Sequence, residues 1–277
     1  MARGEVIDIH IHGMDGYDTR SGRAGDILRL ARLCAASGVS AFLPVIYPSP
    51  VAEMRGQMEA VREAMASREP GSSEILGVYL EGPFLNPQRA GALDAAAFLE
   101  PSPAALQDLV GGFEDLVRII AVAPELRGAL GVIERCASMG IRVSMGHSDA
   151  TYAQALEGKK AGASGVTHLF NAMRGFHHRE PGLVGLGLLD EDLYVEVIAD
   201  GVHLDPETLR LVFRVKPAER IIAVSDRVKG PMLKGGVLQG GGTGLAEAGP
   251  ALRNIGVPEE AIRLAMGENA RRYLSGR

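Results

Sequence analysis

Short apolar runs of strand length alternate along the chain with longer stretches of helical periodicity. The runs are residues 6–12, 41–46, 75–81, 117–123, 142–147, 165–170, 194–199 and 220–225. Continuous apolar character, rather than strict alternation, is what parallel strands buried on both faces require. Helical patterns lie at 26–37, 50–66, 126–138, 151–161 and 206–213, and two more, 244–254 and 258–274, follow the eighth run. A capping residue or proline opens several of them, as at Asp149 and Pro206, and glycine closes several, as at Gly38, Gly140 and Gly162. Eight strands with helical crossovers predict an α/β fold, a single (β/α)8 TIM barrel. An open doubly wound sheet is the rival, because counting strands does not show closure.

The chain has 277 residues, and eight βα units need about 250. One barrel domain over 1–277 is therefore expected. There is no internal repeat, no linker rich in proline or serine, and one dense glycine cluster, Gly240-Gly241-Gly242. Composition is that of an ordinary soluble domain, 46% hydrophobic and 23% charged. A net charge of −5 argues against a nucleic-acid or anionic-membrane surface. Cys34 and Cys136 sit among apolar neighbours and read as buried, reduced thiols. With no signal-like segment and no stretch of membrane-span length, a cytoplasmic protein without membrane contact is expected.

The chemistry is carried by where the runs end. The C-terminal ends of barrel strands meet at one mouth. The first run ends in His10-Ile11-His12, the third in Glu81, the fifth in His147, and the sixth contains His168. The seventh leads into Asp200-Gly201-Val202-His203 and the eighth ends in Ser225-Asp226. Five of the seven histidines stand at these ends, and His177 and His178 follow the sixth. Each signal alone has a bland reading: a polar pair at a strand end, a hydrogen-bonded core histidine, an N-cap, or Asp226 paired with Arg227. Together they do not, since carboxylates and imidazoles are expensive to bury unless paired or metal-bound. Imidazole plus carboxylate without thiolate suits Zn, Fe, Co or Mn, with Zn or Fe foremost here and one or two ions. A metal of this kind acidifies water, and a carboxylate at the mouth can take up the proton and return it to a leaving amine.

Taken in order, the strings Ile9-His10-Ile11-His12-Gly13, Leu80-Glu81-Gly82-Pro83-Phe84, Ala123-Pro124-Glu125, Gly146-His147-Ser148, Thr167-His168-Leu169-Phe170-Asn171-Ala172-Met173, His177-His178-Arg179-Glu180-Pro181-Gly182, Ala199-Asp200-Gly201-Val202-His203 and Ser225-Asp226 resemble the N-acetylglucosamine-6-phosphate deacetylases of the amidohydrolase superfamily. The resemblance runs from His10 to about Asn269-Ala270. It implies that Glu81, His147 and His168 hold the main metal, that His10 and His12 hold a second with Glu81 bridging, and that Asp226 is the catalytic aspartate. It further implies that Asn171, Ala172, Arg179 and His203 hold an anionic N-acetylated amino sugar, and it leaves a homodimer open. The absence of a lysine at Ala123-Pro124-Glu125 argues against a carbamylated-lysine centre.

Departures from the family pattern bear on the substrate. The family's β-sandwich is expected to be missing. The segment after Asp226 is short and keeps Lys229 and Lys234, the family's Gly-Ala-His reads Gly91-Ala92-Leu93, and its Leu-Ala-Gly-Ser reads Leu238-Gln239-Gly240-Gly241. Hydrolysis of another N-acyl or cyclic amide is the second functional reading, and a non-catalytic sugar-phosphate binder the third. Retention of Asp226 speaks against the binder.

Overall fold

The computed structural model describes residues 5–230, 233–234, 237–241 and 243–276. Eight parallel strands follow one another around the sheet in chain order: β1 (Ile7–Ile11), β2 (Ala41–Ile46), β3 (Val78–Leu80), β4 (Val117–Val122), β5 (Arg142–Met145), β6 (Gly165–Val166), β7 (Tyr194–Ile198) and β8 (Ile221–Val224). All eight apolar runs are strands. The third is split, with a separate Glu74–Ile75 pair laid on β2 ahead of β3.

The ring closes at its mouth. The Asp226 amide donates to the His10 carbonyl at 2.8 Å, the His12 amide donates to the Arg227 carbonyl at 2.9 Å, and Ile11 bridges Arg227. Deeper along the same seam, Asp8 Oδ1 accepts from the amides of Ser225 and His10, both at 3.2 Å. These bonds settle the choice between barrel and open sheet. No β-sandwich occurs among the described residues.

Side chains from alternate positions fill the interior, among them Ile9, Leu43, Tyr79, Ala121 and Val224. The opposite faces pack under the helices through Phe42, Leu80, Val122, Val143 and Val197. This two-sided burial is why the strands read as unbroken apolar runs. The helices are α1 (Ala24–Ala36), α2 (Val51–Ala66), α3 (Pro103–Val110), α4 (Ala129–Ser138), α5 (Tyr152–Lys160), α6 (Gly182–Leu189), α7 (Pro206–Val215) and α8 (Leu245–Asn254). Helix α5 is capped by Thr151 rather than Asp149, whose carboxylate instead takes Arg89 and Arg174. The last helical stretch is Glu259–Arg263, a π turn at Leu264–Glu268, and Asn269–Ser275. It sends Ala270 and Tyr273 into the base of the interior cluster. No helix is long and apolar enough to cross a membrane, and both cysteines are free and buried.

Candidate active site

Backbone irregularities aim the polar side chains. The β1–β2 register slips between Asp8 and Ile11, as a bulge does, so Ile9 packs inside the barrel and His10 also reaches its interior. His147, His168 and Asp226 each lie just past a strand end with φ of 45°, 26° and 48°. Left-handed backbone is uncommon for residues other than glycine and concentrates at functional sites. These turns fold each side chain back over the mouth.

Glu81 is the hub. Its Oε1 lies 3.1 Å from His147 Nε2, 3.2 Å from His168 Nε2 and 3.5 Å from His10 Nε2, and its Oε2 lies 3.2 Å from His12 Nε2. Asp226 Oδ1 stands 3.4 Å from His12 Nε2 and 3.5 Å from His10 Nε2. Two candidate ligand sets follow, Glu81 with His147 and His168, and Glu81 with His10 and His12. Burial pushes the Glu81 carboxyl up, but His12, His10 and His147 around it hold it well below the usual carboxylate range. Asp226 is likewise held low by His10 and His12 against the effect of burial.

The arrangement fits a transition-metal centre. His147 Nδ1 is 2.9 Å from the Arg89 carbonyl, which can only accept, so Nδ1 donates there and Nε2 is the nitrogen turned to Glu81. His168 Nε2 faces the same point, 3.1 Å from His147 Nε2. His10 Nε2 is buried without a hydrogen-bond partner. Ring nitrogens converging on a carboxylate, one of them unsatisfied, are what such a cation requires.

Two supporting groups have no role assigned from the sequence. Glu125 holds the loops beneath the mouth, accepting from Asn86 Nδ2 at 2.8 Å, the Ser148 hydroxyl at 2.7 Å and the Asp149 amide at 2.6 Å. Glu196, 2% exposed in the middle of β7, accepts from His10 Nδ1 at 3.0 Å. A glutamate in the period of a buried strand is the signal that could have found it.

Above the centre opens a cavity of about 540 Å³. Asn171, Ala172, His203 and Lys229 line it, as does Leu93 where the family pattern has histidine. Asp200 accepts from His203 Nδ1 at 2.8 Å, leaving Nε2 for a ligand. Arg179 is exposed and is not among the lining residues, and the Lys234 side chain lies outside the described residues. Glu180 does not pair with Arg179 but accepts from the amides of Tyr152 and Gly182. Arg227, the bland partner for Asp226, pairs instead with Asp15. Arg20, unmarked in the sequence, lines the cavity with its guanidinium 3.7 Å over the Tyr47 ring, and Tyr47 in turn stacks on His12.

Residues 6–258 match the amidohydrolase family. An N-acetylgalactosamine-6-phosphate deacetylase of Escherichia coli O157:H7 is 34% identical over 288 residues, covering 96% of this chain and 76% of the relative. An N-acetylglucosamine-6-phosphate deacetylase of Vibrio furnissii is 37% identical over 224 residues, and the matched part is 81% of this chain but only 56% of that relative's length. Among solved structures, a mutant N-acetyl-D-glucosamine-6-phosphate deacetylase from Mycobacterium smegmatis, in complex with N-acetyl-D-glucosamine-6-phosphate, superposes with a TM-score of 0.88 at 26% identity, covering 98% of this chain and 77% of that one. Fold, ligand geometry and sequence likeness agree, and the chain belongs to the amidohydrolase family.

Proposed function

We propose that the chain is a metal-dependent amide hydrolase that removes the acetyl group from an N-acetylated amino sugar phosphate, acting as one catalytic barrel domain. The observation that carries this reading is the meeting of Glu81, His147, His168, His10 and His12 beside a single ionised carboxylate, Asp226, at the floor of a sugar-sized cavity. Glu81, His147 and His168 would hold the first divalent metal, and His10 and His12 a second, with zinc or iron the candidates. When bound, such a metal supplies a water acidified towards neutrality and polarises the amide carbonyl.

The protein's own groups do the rest. Asp226, ionised and open to the cavity, accepts the proton of the attacking water and hands it to the departing nitrogen. Asn171 donates its side-chain amide to the carbonyls of His168 and Leu169, which turns its oxygen away from those carbonyls. His203 offers Nε2, fixed by Asp200, to a sugar hydroxyl or phosphate. Among the described residues, Arg20 and Lys229 are the arginine and lysine of the cavity wall, suited to an anion, while Arg179 would have to swing in from its loop. The E. coli and Vibrio relatives are named for substrates differing at one hydroxyl, so both compounds are to be tried. The apolar Leu93 in the wall favours a second reading, another anionic N-acyl or cyclic amide.

The test is steady-state hydrolysis of N-acetylglucosamine 6-phosphate, N-acetylgalactosamine 6-phosphate and their unphosphorylated forms. Arg20→Ala should raise KM for the phosphorylated compounds about tenfold or more, since a charge-assisted hydrogen bond contributes roughly 1.5–3 kcal/mol, and leave the unphosphorylated forms unchanged. Arg179→Ala, compared side by side, measures the loop's share. No hydrolysis of any N-acetyl sugar by the zinc-loaded protein would reject the reading.

A further inference from the structure

We propose that Glu196 is a positioning residue that fixes His10 as a metal ligand and so governs binding at the second ligand set, His10–His12–Glu81. This rests on the reading of the His/Glu centre as a metal site. It does not depend on which amide is hydrolysed.

Glu196 sits in the middle of β7, inside the barrel and below the mouth, where an unpaired carboxylate would be costly. Its oxygens are fully engaged. Oε2 takes His10 Nδ1 at 3.0 Å, and Oε1 takes the Tyr79 hydroxyl at 3.1 Å and the Ser144 hydroxyl at 3.4 Å. Thr167 closes the network, 2.8 Å from the Tyr79 hydroxyl and 2.9 Å from Ser144 Oγ. Tyr79 stands on β3, which delivers Glu81, and Thr167 directly follows β6, next to His168. Of these partners His10 is the one imidazole, so it is the ring whose orientation the carboxylate fixes.

With a carboxylate oxygen 3.0 Å away, Nδ1 is the ring nitrogen that donates. The other nitrogen, Nε2, is then the one turned to a cation, and it is the buried atom left without a hydrogen bond and lying 3.5 Å from both Glu81 and Asp226. A hydrogen bond from a ligating imidazole to a carboxylate fixes the ring and raises the basicity of the ligating nitrogen. The four candidate imidazoles are not treated alike. His147 has only a neutral carbonyl behind Nδ1, and Nδ1 of His12 and of His168 has no partner. His10 alone among them is backed by a carboxylate, and it belongs to the second set and not the first.

The experiment titrates zinc into metal-free wild type, Glu196→Gln and Glu196→Ala, with stoichiometry read by elemental analysis and affinity by competition with a chromogenic chelator. Wild type should take two equivalents per chain. Glu196→Gln, which keeps the shape and the hydroxyl contacts, should bind the first as wild type does and the second about 10–100-fold more weakly. Glu196→Ala should lose the second further. Unchanged affinity for both equivalents in the two variants, parallel loss of both from a folded variant, or a wild type that never takes more than one equivalent would each overturn the proposal. Nitrogen-15 NMR of zinc-loaded wild type guards against a variant that fails to fold. A proton on His10 Nδ1 supports the assignment and a proton on Nε2 ends it. Zinc binding that follows this pattern in a protein inert towards every N-acetyl sugar would leave this proposal standing while the deacetylase reading failed.

Discussion

At the end of β8, Asp226 combines a left-handed backbone with a carboxylate held ionised by two imidazoles. The isosteric change Asp226→Asn removes the proposed proton acceptor and little else. Turnover should fall by about 10²–10⁴, the usual share of general acid–base catalysis, with zinc content by elemental analysis close to that of wild type. Unaltered turnover would remove Asp226 from the mechanism. The residues of the centre were legible because a histidine or carboxylate at the end of an apolar run has no cheap explanation. Glu196 was hidden because it interrupts such a run instead of ending it. Arg20 was hidden because it belongs to a hairpin, Gly13–Met14 with Tyr17–Asp18, and the short turn after it, where polar residues are unremarkable.

Among the elements, those with a periodic signature were readable and those without were not. Helix α6, Gly-Leu-Val-Gly-Leu-Gly-Leu-Leu, is apolar all round and seven of its eight residues are buried, so no face betrays it. Helix α3 is only eight residues long. The glycines after Asp226 read as a departure from the family string, and the structure supplies a use for one of them. Gly241 donates its amide to the Asp226 carbonyl at 2.7 Å, and a Cβ there would lie 1.8 Å from the Ser225 carbonyl oxygen. Gly241→Ala should therefore push this segment off the end of β8 and shift Asp226 with it. A displacement of about 1 Å at a reacting group can lower rate on the order of 10²-fold. The expected result is a large fall in kcat with the circular dichroism spectrum retained, and an unaffected kcat would show that the contact is dispensable.

For the molecule as a whole, metal and fold are linked. Five buried candidate ligands crowd one another and would be relieved by a cation that only the folded chain can hold together. A ligand at about a thousand times its Kd stabilises by about 4 kcal/mol, worth roughly 8–16 °C in Tm for a domain of this size. Chelation should lower the melting temperature by that order and zinc should restore it. A melting curve indifferent to chelator would argue that the centre holds no metal. The closed ring itself was only half legible, since strand order could be read but the bonds that seal it depend on backbone amides that no side-chain pattern reports.

That seal has a consequence in time. The seam joins positions 217 apart in sequence, as between Asp8 and Ser225, and it uses the amide of Asp226 and the carbonyl of His10, both belonging to residues of the centre. Contacts so distant along a chain form late, because the intervening loop entropy must be overcome first. On a ribosome, His10 and His12 are made before the seven later strands and must wait for all of them before their neighbour Asp226 exists. Enzymatic competence and completion of the ring are thus one event, and the return of activity after dilution from denaturant would serve as a clock for closure, lagging behind the recovery of helical signal.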